Sequence, residues 1–422
     1  MSELYTLRLK RIADAVALKE PDAVPLIPKA VGVQYTLCGD GSSHKSEFYE
    51  YEKAMQACIQ YHAEFQPDYR QLPDFLSGKA NEFVQPGMID WPGRPGTKVP
   101  DHSSWQVIEQ EYMAQDEYDE LISDYTGFML TRYIPRAFAG LEGFKNFIPN
   151  LAPVLGTKTF SPMINPAMKE ALLNFVAMIN ESEKVNTFVK ESSTTLEQMG
   201  FPPYFTSMGG VPFDIVGDYF RGTMGMFEDL LEVPDKIYEA CQLFARMQMR
   251  GWEPQLHAEA EVKRIYFPLH KGMDGFMSPS HYDTLYWQPF QTMLIQLMEH
   301  GVTPIIYTEG PYETRIDYIR DKLLELPPAS CILHFEAGDF ALLKKKFEGI
   351  ACISGGMPLY LLEWGTVQEV VDRVKYLIDN CAAGGGFLLN SSGSIENAKR
   401  ENYEAMFETA RSYGKSSNGG YR

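Results

Sequence analysis

Two stretches, TPIIYTE at Thr303–Glu309 and CILHFE at Cys331–Glu336, decide the fold. Each is a short apolar, β-branched or aromatic run bounded by Gly, Pro or Ser, the form taken by strands buried on both faces of a parallel sheet. Between them, Tyr312–Leu326 reads as a helix that stops at Pro327-Pro328. Strand, helix and parallel strand make one βαβ unit.

Working outward, the same unit recurs. Toward the C-terminus come a helix at Ala341–Phe347, a strand at Ala351–Gly355, a helix at Val367–Asn380 and a strand at Gly386–Ser391. Thr366 is placed to cap the second helix, with Glu369 three residues on completing a capping box. Toward the N-terminus lie the helix Pro289–Glu299, stopped at Gly301, and strands at Arg264–His270 and Tyr204–Gly209. Asp68–Pro73 and Val24–Ala30 read as two further strands. Eight such runs with intervening helices predict an α/β protein, a single (β/α)8 TIM barrel over 1–422 with an N-terminal extension. The long interval 74–202 is expected to be a mainly helical insertion between the second and third strands, forming a lid or an interface; a homodimer is one assembly it allows. The tail after Tyr413 is expected to fray.

Composition narrows the function. Lys and Arg number 38 against 56 Asp and Glu, a formal charge of −18, and the longest basic run is Lys344-Lys345-Lys346. A nucleic-acid binder needs a basic face, so nucleic acid is not an expected partner. No apolar stretch is long enough to span a bilayer, and the first twenty residues lack the apolar core of a secretory signal. Six cysteines are scattered without a CxxC, the usage of reduced intracellular thiols. The expectation is a cytoplasmic protein without a membrane partner.

In a barrel the chemistry sits where strands end. Those ends are Lys29, Ser207, His270, Tyr307 with Glu309, His334 with Glu336, Ser354, and Asn390 with Ser391. His334 and Glu336, two apart on a strand, share one face. With Glu309 on the neighbouring strand they make a candidate three-ligand zinc site with an open fourth position. The same residues equally fit a rim where His334 hydrogen-bonds a carboxylate and no metal binds. His270 precedes a Gly-rich turn and could donate a proton or orient a substrate, or be a surface turn residue. Asp214, Asp218 and Arg221, at spacings of four and three, would share a helix face and pair. Phe213 could contact a planar ligand. Gly384-Gly-Gly386 precedes a strand rather than following the first one, so it is no dinucleotide fingerprint, and neither a P-loop nor a GxSxG motif is present.

Several runs carry a resemblance: PFDIVGDYFRGTMGMFEDLLEVPDK, GDFALLKKKFEG, SGGMPLYLLEWGTVQEVVDRVKYLID and GGGFLLNSSGSI, with RIADAVALKEPDAVPLIP near the N-terminus. The chain resembles the uroporphyrinogen decarboxylase superfamily, whose fold is a single (β/α)8 barrel. The decarboxylases hold substrate carboxylates with an Arg-rich motif after the first strand, where this chain reads PLIPKAVGVQY, with one Lys. The thiol-methylating branch binds zinc through a His-x-Cys that reads Tyr307-Thr308-Glu309 here, without the thiolates. EFQPDYR, the WPG at 91–93, SSWQVIEQEYM and YIPRAFAGLE look more like the corrinoid-dependent aryl methyl ether methyltransferases. That resemblance implies O-demethylation: a methyl group moves from a small methoxylated aromatic to the cob(I)alamin of a corrinoid carrier protein. It implies Zn²⁺ on Glu309, His334 and Glu336, with Glu313 competing for the place of Glu309. His270 or Tyr307 would support the leaving oxygen, and Phe213, Asp214, Phe276 and Trp287 would form the substrate side. A different methyl donor (methanol or a methylamine) and a tetrapyrrole decarboxylase or binding protein are the alternatives.

Overall fold

The computed structural model describes residues 2–150 and 153–414. The tail beyond Gly414, expected to fray, lies outside the described residues. A small antiparallel pair, β1 (Ile89–Asp90) and β2 (Gln106–Val107), comes first in the chain. The main sheet follows: β3 (Ser207–Met208), β4 (Arg264–Leu269), β5 (Thr303–Thr308), β6 (Ile332–Phe335), β7 (Cys352–Met357) and β8 (Phe387–Ser391). All six are parallel and pair strictly in sequence order. Helices occupy the connections, so the fold is mixed α/β around a six-stranded parallel sheet. β6, β7 and β8 are buried along their whole length, and β4 and β5 nearly so. Burial on both faces explains why these runs are apolar without alternation.

The period of two nevertheless sorts their side chains. Ile265, Phe267, Leu269, Ile306, Leu333, Phe335, Ile353 and Leu389 join the large core under the helices. Tyr266, Ile305, Tyr307, Ile332, Cys352 and Leu388 face the other way and form a second cluster with Ile27, Tyr69 and Tyr204. Those last three come from the segments expected to be the first, second and third strands.

The first two expected strands are not regular ladders. Each is reduced to a single bridge, Leu26 with Leu389 and Arg70 with Pro203. Pro25, Pro28, Pro67, Pro73, Pro202 and Pro203 withhold the N–H groups that a ladder needs. What remains is sparse but continuous: Ile27 N–H donates to Leu389 C=O (3.0 Å), Asp68 N–H to Leu26 C=O (2.9 Å) and Arg70 N–H to Pro202 C=O (2.8 Å). The buried carboxylate of Asp68 compensates, accepting from Leu26 N–H at 2.7 Å and from Arg11 at 2.5 Å.

Helix boundaries largely follow the punctuation. Gln288–Glu299 ends before Gly301, and Thr366 and Glu369 cap Val367–Cys381 reciprocally, at 2.8 and 3.3 Å. The helix expected over Tyr312–Leu326 is shorter, Ile316–Leu323, because Tyr312–Arg315 first form a turn. Before β8, Gly384, Gly385 and Gly386 all have positive φ, and a Cβ on Gly385 would meet the Lys19 carbonyl oxygen at 2.1 Å. Only glycine fits that turn. The stretch 74–202 is mostly helical apart from β1 and β2, and ends in the helix Pro166–Gln198, 33 residues long. No helix among the described residues is long and apolar enough to cross a membrane.

Candidate active site

β4, β5 and β6 bring His270, Glu309 and Glu336 to the same end of the sheet. His270 directly follows β4, and its N–H and that of Lys271 both donate to the buried carboxylate of Asp214, each at 2.9 Å. Tyr286 donates a third hydrogen bond to Asp214 at 2.8 Å. Asp214 therefore fixes the start of the turn rather than facing a ligand. Burial, with the Asp218 charge nearby, pushes its carboxyl up to about 7. Two π-helical segments flank it, Val216–Arg221 and Tyr282–Trp287, the second of which supplies Tyr286. This form is often found beside functional sites.

The π turn changes the pairing expected for Asp214, Asp218 and Arg221. Arg221 turns away and binds Asp229 at 2.6 Å, together with Glu111. Asp218 turns inward: its Oδ2 lies 2.7 Å from His270 Nδ1 and its Oδ1 lies 3.1 Å from Lys271 Nζ. An α-helical register would have made Asp218 and Arg221 neighbours; the i→i+5 turn separates them. On its other side, His270 Nε2 lies 3.2 Å from Glu309 Oε2. Burial would lower the imidazole, but the hydrogen bonds to Asp218 and Glu309 outweigh it and hold His270 protonated up to about 10. The same hydrogen bond lowers Glu309. The mouth thus carries an imidazolium between two carboxylates, with Glu309 about half exposed.

His334 faces inward as the period of two requires, on the same side as Glu336. It is 1% exposed, and burial lowers its imidazole to about 3. Its Nε2 lies 2.9 Å from the Ser391 carbonyl, which can only accept, so Nε2 carries the proton. Nδ1 then accepts from the Tyr266 hydroxyl at 3.3 Å. Tyr307 lies beside it, ring centroids 4.5 Å apart, with its hydroxyl donating to Ser392 C=O at 3.2 Å. Glu336 accepts from Gly310 N–H at 2.5 Å. Glu309, His334 and Glu336 are therefore engaged separately, and among the described residues no group of three His, Cys, Asp or Glu side chains is arranged for a metal ion. Glu313, the competing ligand, is exposed on the turn before Ile316–Leu323.

A cavity of about 560 Å³ opens on the inner cluster, lined by His334 but not by Asp218, His270 or Glu309. Its aromatic wall is Tyr69, Trp105, Tyr204, Phe205 and Tyr266, and its polar groups include Lys29, Asp74, His334 and Glu396. Glu309 acts on it electrostatically, through Lys29, Tyr266 and His334. Phe213 and Trp287, expected on the substrate side, are instead fully buried under the helices. Phe276 is partly buried against Phe227 at 4.8 Å. The aromatic wall thus comes from other residues. Four residues back along the strand from His270 lies Tyr266, which was legible; Trp105 lies in the SSWQVIEQEYM run with nothing there to single it out, and Asp74 carried no signal.

No protein-family model and no curated protein matches the chain. Solved structures do, 33 chains in all. One is a methyltransferase from Methanosarcina mazei, similar with a TM-score of 0.60 over 96% of this chain and 98% of that one, at 13% identity. At that identity the likeness speaks for the fold, which is the mixed α/β architecture described above.

Proposed function

We propose that this chain is a methyltransferase that moves a methyl group from a methoxylated aromatic to the corrinoid of a separate carrier protein, on a (β/α)8 barrel. The barrel reading is supported by the hydrogen bonds that run from β8 through 25–27 and 68–70 to 202–203, and by Ile27, Tyr69 and Tyr204 in the inner cluster. The likeness to a methyltransferase of full length supports the reaction class. The observation that carries the substrate is the aromatic-walled cavity, whose lining residues Lys29, Tyr266 and His334 feel the charge of Glu309, the outer member of the Asp218–His270–Glu309 array. Five large aromatic side chains suit a ring better than methanol or a methylamine.

An aryl ether resists displacement because phenolate leaves poorly. The phenolate takes the electron pair of the breaking C–O bond, and a proton delivered to that oxygen eases its departure. His270 is the group for this: its hydrogen bonds to Asp218 and Glu309 keep it protonated, so it arrives with a proton to give. Glu309 swings aside from Nε2 as the ether oxygen arrives, while Asp218 keeps Nδ1 and the ring plane fixed. Tyr307 is not the donor, since its proton already goes to Ser392 C=O. The carrier's reduced corrinoid supplies the nucleophile that takes the methyl group.

Zinc does not fit the donors as they stand. His334 directs an N–H, not a lone pair, at Ser391, and Glu309 and Glu336 have other partners. No step is assigned to a metal. Cytoplasmic placement belongs to the same proposal and is supported by six buried free thiols. A homodimer belongs to it as well. Ile164, Leu172, Leu173 and Val176 are exposed on and beside the helix Pro166–Gln198, and between Phe147 and Asn180 only Lys158, Lys169 and Glu170 are charged. In a chain of net charge −18, that face lets a second copy approach without like-charge repulsion.

The test is a single-turnover reaction of the full chain with reduced corrinoid carrier and a methoxyphenol, read by the corrinoid spectrum. Methylation of the corrinoid, slowed by about 10²-fold or more in His270→Ala, is the expected result. No methylation from any methoxylated ring would overturn the proposal.

A further inference from the structure

Lys29 differs from the other cations near the mouth. Lys271 is in contact with Asp218, Glu109 and Thr223, at 3.1, 3.3 and 3.0 Å. Arg264 donates to the Tyr204 carbonyl at 3.1 Å. Lys29 Nζ has no hydrogen-bond or ion-pair partner among the described residues. It sits over the rings of Tyr307 and Tyr266, 5.2 and 5.6 Å from their centroids, and lines the cavity. Its backbone is held on both sides: Lys29 N–H donates to Ser391 Oγ at 3.1 Å, and Lys29 C=O accepts from Ile395 N–H at 2.9 Å. The backbone is therefore fixed, and the two rings are what the ammonium rests on.

Two aromatic faces support a cation but leave its three N–H groups unbonded. Burial lowers the lysine, while Glu309, Asp74, Glu336 and Glu396 oppose that from beyond contact distance. Glu396 is already committed to His44 at 2.5 Å, and Asp74 lines the cavity from an exposed position without touching the ammonium. A carboxylate or phenolate oxygen brought into contact would provide what these longer-range charges do not, since a charge-assisted hydrogen bond depends on contact.

We propose that Lys29 is the anchor for an oxyanion carried on the aromatic substrate, so that the cavity selects ring compounds bearing a carboxylate or phenolate. Lys29 is then a specificity-determining residue at the inner wall, separate from the Asp218–His270–Glu309 array. This inference rests on the aromatic-substrate reading above.

Calorimetric titration of the full chain, without carrier or turnover, tests it. Three para-methoxy rings are compared: 4-methoxybenzoate, the isosteric neutral 4-methoxybenzamide, and 4-methoxyphenol. We expect the benzoate to bind at least about tenfold tighter than the benzamide, and Lys29→Met to remove that preference while the benzamide still binds, which shows the cavity intact. Lys29→Arg retains the preference. Methoxyphenol binding that releases a proton, seen by comparing two buffers, assigns the anion as phenolate; a tight benzoate without proton uptake assigns it as carboxylate. Equal binding of benzoate and benzamide in the wild type with no proton release on methoxyphenol binding, or a preference that survives in Lys29→Met, overturns the role of Lys29 alone. If none of the three rings binds, both this role and the aromatic-substrate reading fall.

Discussion

Asp218 Oδ2 lies 2.7 Å from His270 Nδ1, and that contact sets both the charge and the direction of the imidazole at the mouth of the sheet. The pair exists because Val216–Arg221 is π-helical and turns Asp218 toward β4 instead of toward Arg221.

Asp218→Asn should therefore act through His270. Losing the hydrogen-bonded charge lets the imidazole fall from about 10 toward its ordinary range. In the wild type, methyl transfer should persist until the pH rises through about 10. In the variant the alkaline limb should move down by one unit or more, with substrate binding little changed. A pH profile of the single-turnover rate measures it, and an unmoved limb would rule out His270 as the titrating acid.

The same group contributes to stability with a definite sign. The His270 imidazolium is favoured in the folded state, so its contribution is complete below the ordinary value near 6.5 and disappears as the pH rises through about 10. His334 has the opposite sense. Folding holds it neutral down to about 3, so the unfolded chain gains a proton first as the pH falls below about 6.5. Urea denaturation at pH 7 and pH 4 should show His334→Gln losing less stability on acidification than the wild type.

Asp214 accepts three hydrogen bonds while buried. Asp214→Ala strands two backbone N–H groups and the Tyr286 hydroxyl, and should cost about 3 kcal/mol or more of folding stability. Chemical denaturation measures the loss. A cost under about 1 kcal/mol would mean that the turn at His270 does not depend on this carboxylate.

Metal analysis after dialysis against zinc should find well below one zinc per chain, because His334 must break its bond to Ser391 C=O before it can ligate through Nε2. One zinc per chain, lost in His334→Ala, would show that Glu309, His334 and Glu336 rearrange into a site.

Light scattering should report a dimer for the wild type. Leu173→Glu with Val176→Glu places two acids on the exposed apolar face of the helix Pro166–Gln198 and should yield monomer with unchanged circular dichroism. A wild-type monomer contradicts this part of the proposal.

The sequence by itself determined the parallel strands and which of their side chains face inward. Both follow from local chemistry: a run buried on both faces is apolar throughout, and Tyr266, His334 and Glu336 alternate with residues packed under the helices. Strand ends likewise pointed to His270, Glu309 and Lys29. Tertiary structure alone decided what each of these touches. The π turn that gives Asp218 to His270 depends on an i→i+5 register that spacing does not reveal. The cavity wall draws Tyr69, Trp105 and Tyr204 from segments far apart in the chain, brought together only when the sheet and the 74–202 stretch pack. Phe213 and Trp287 looked equally suited to a ring, yet an aromatic side chain's place in a wall or a core is fixed by its neighbours, and theirs are helices.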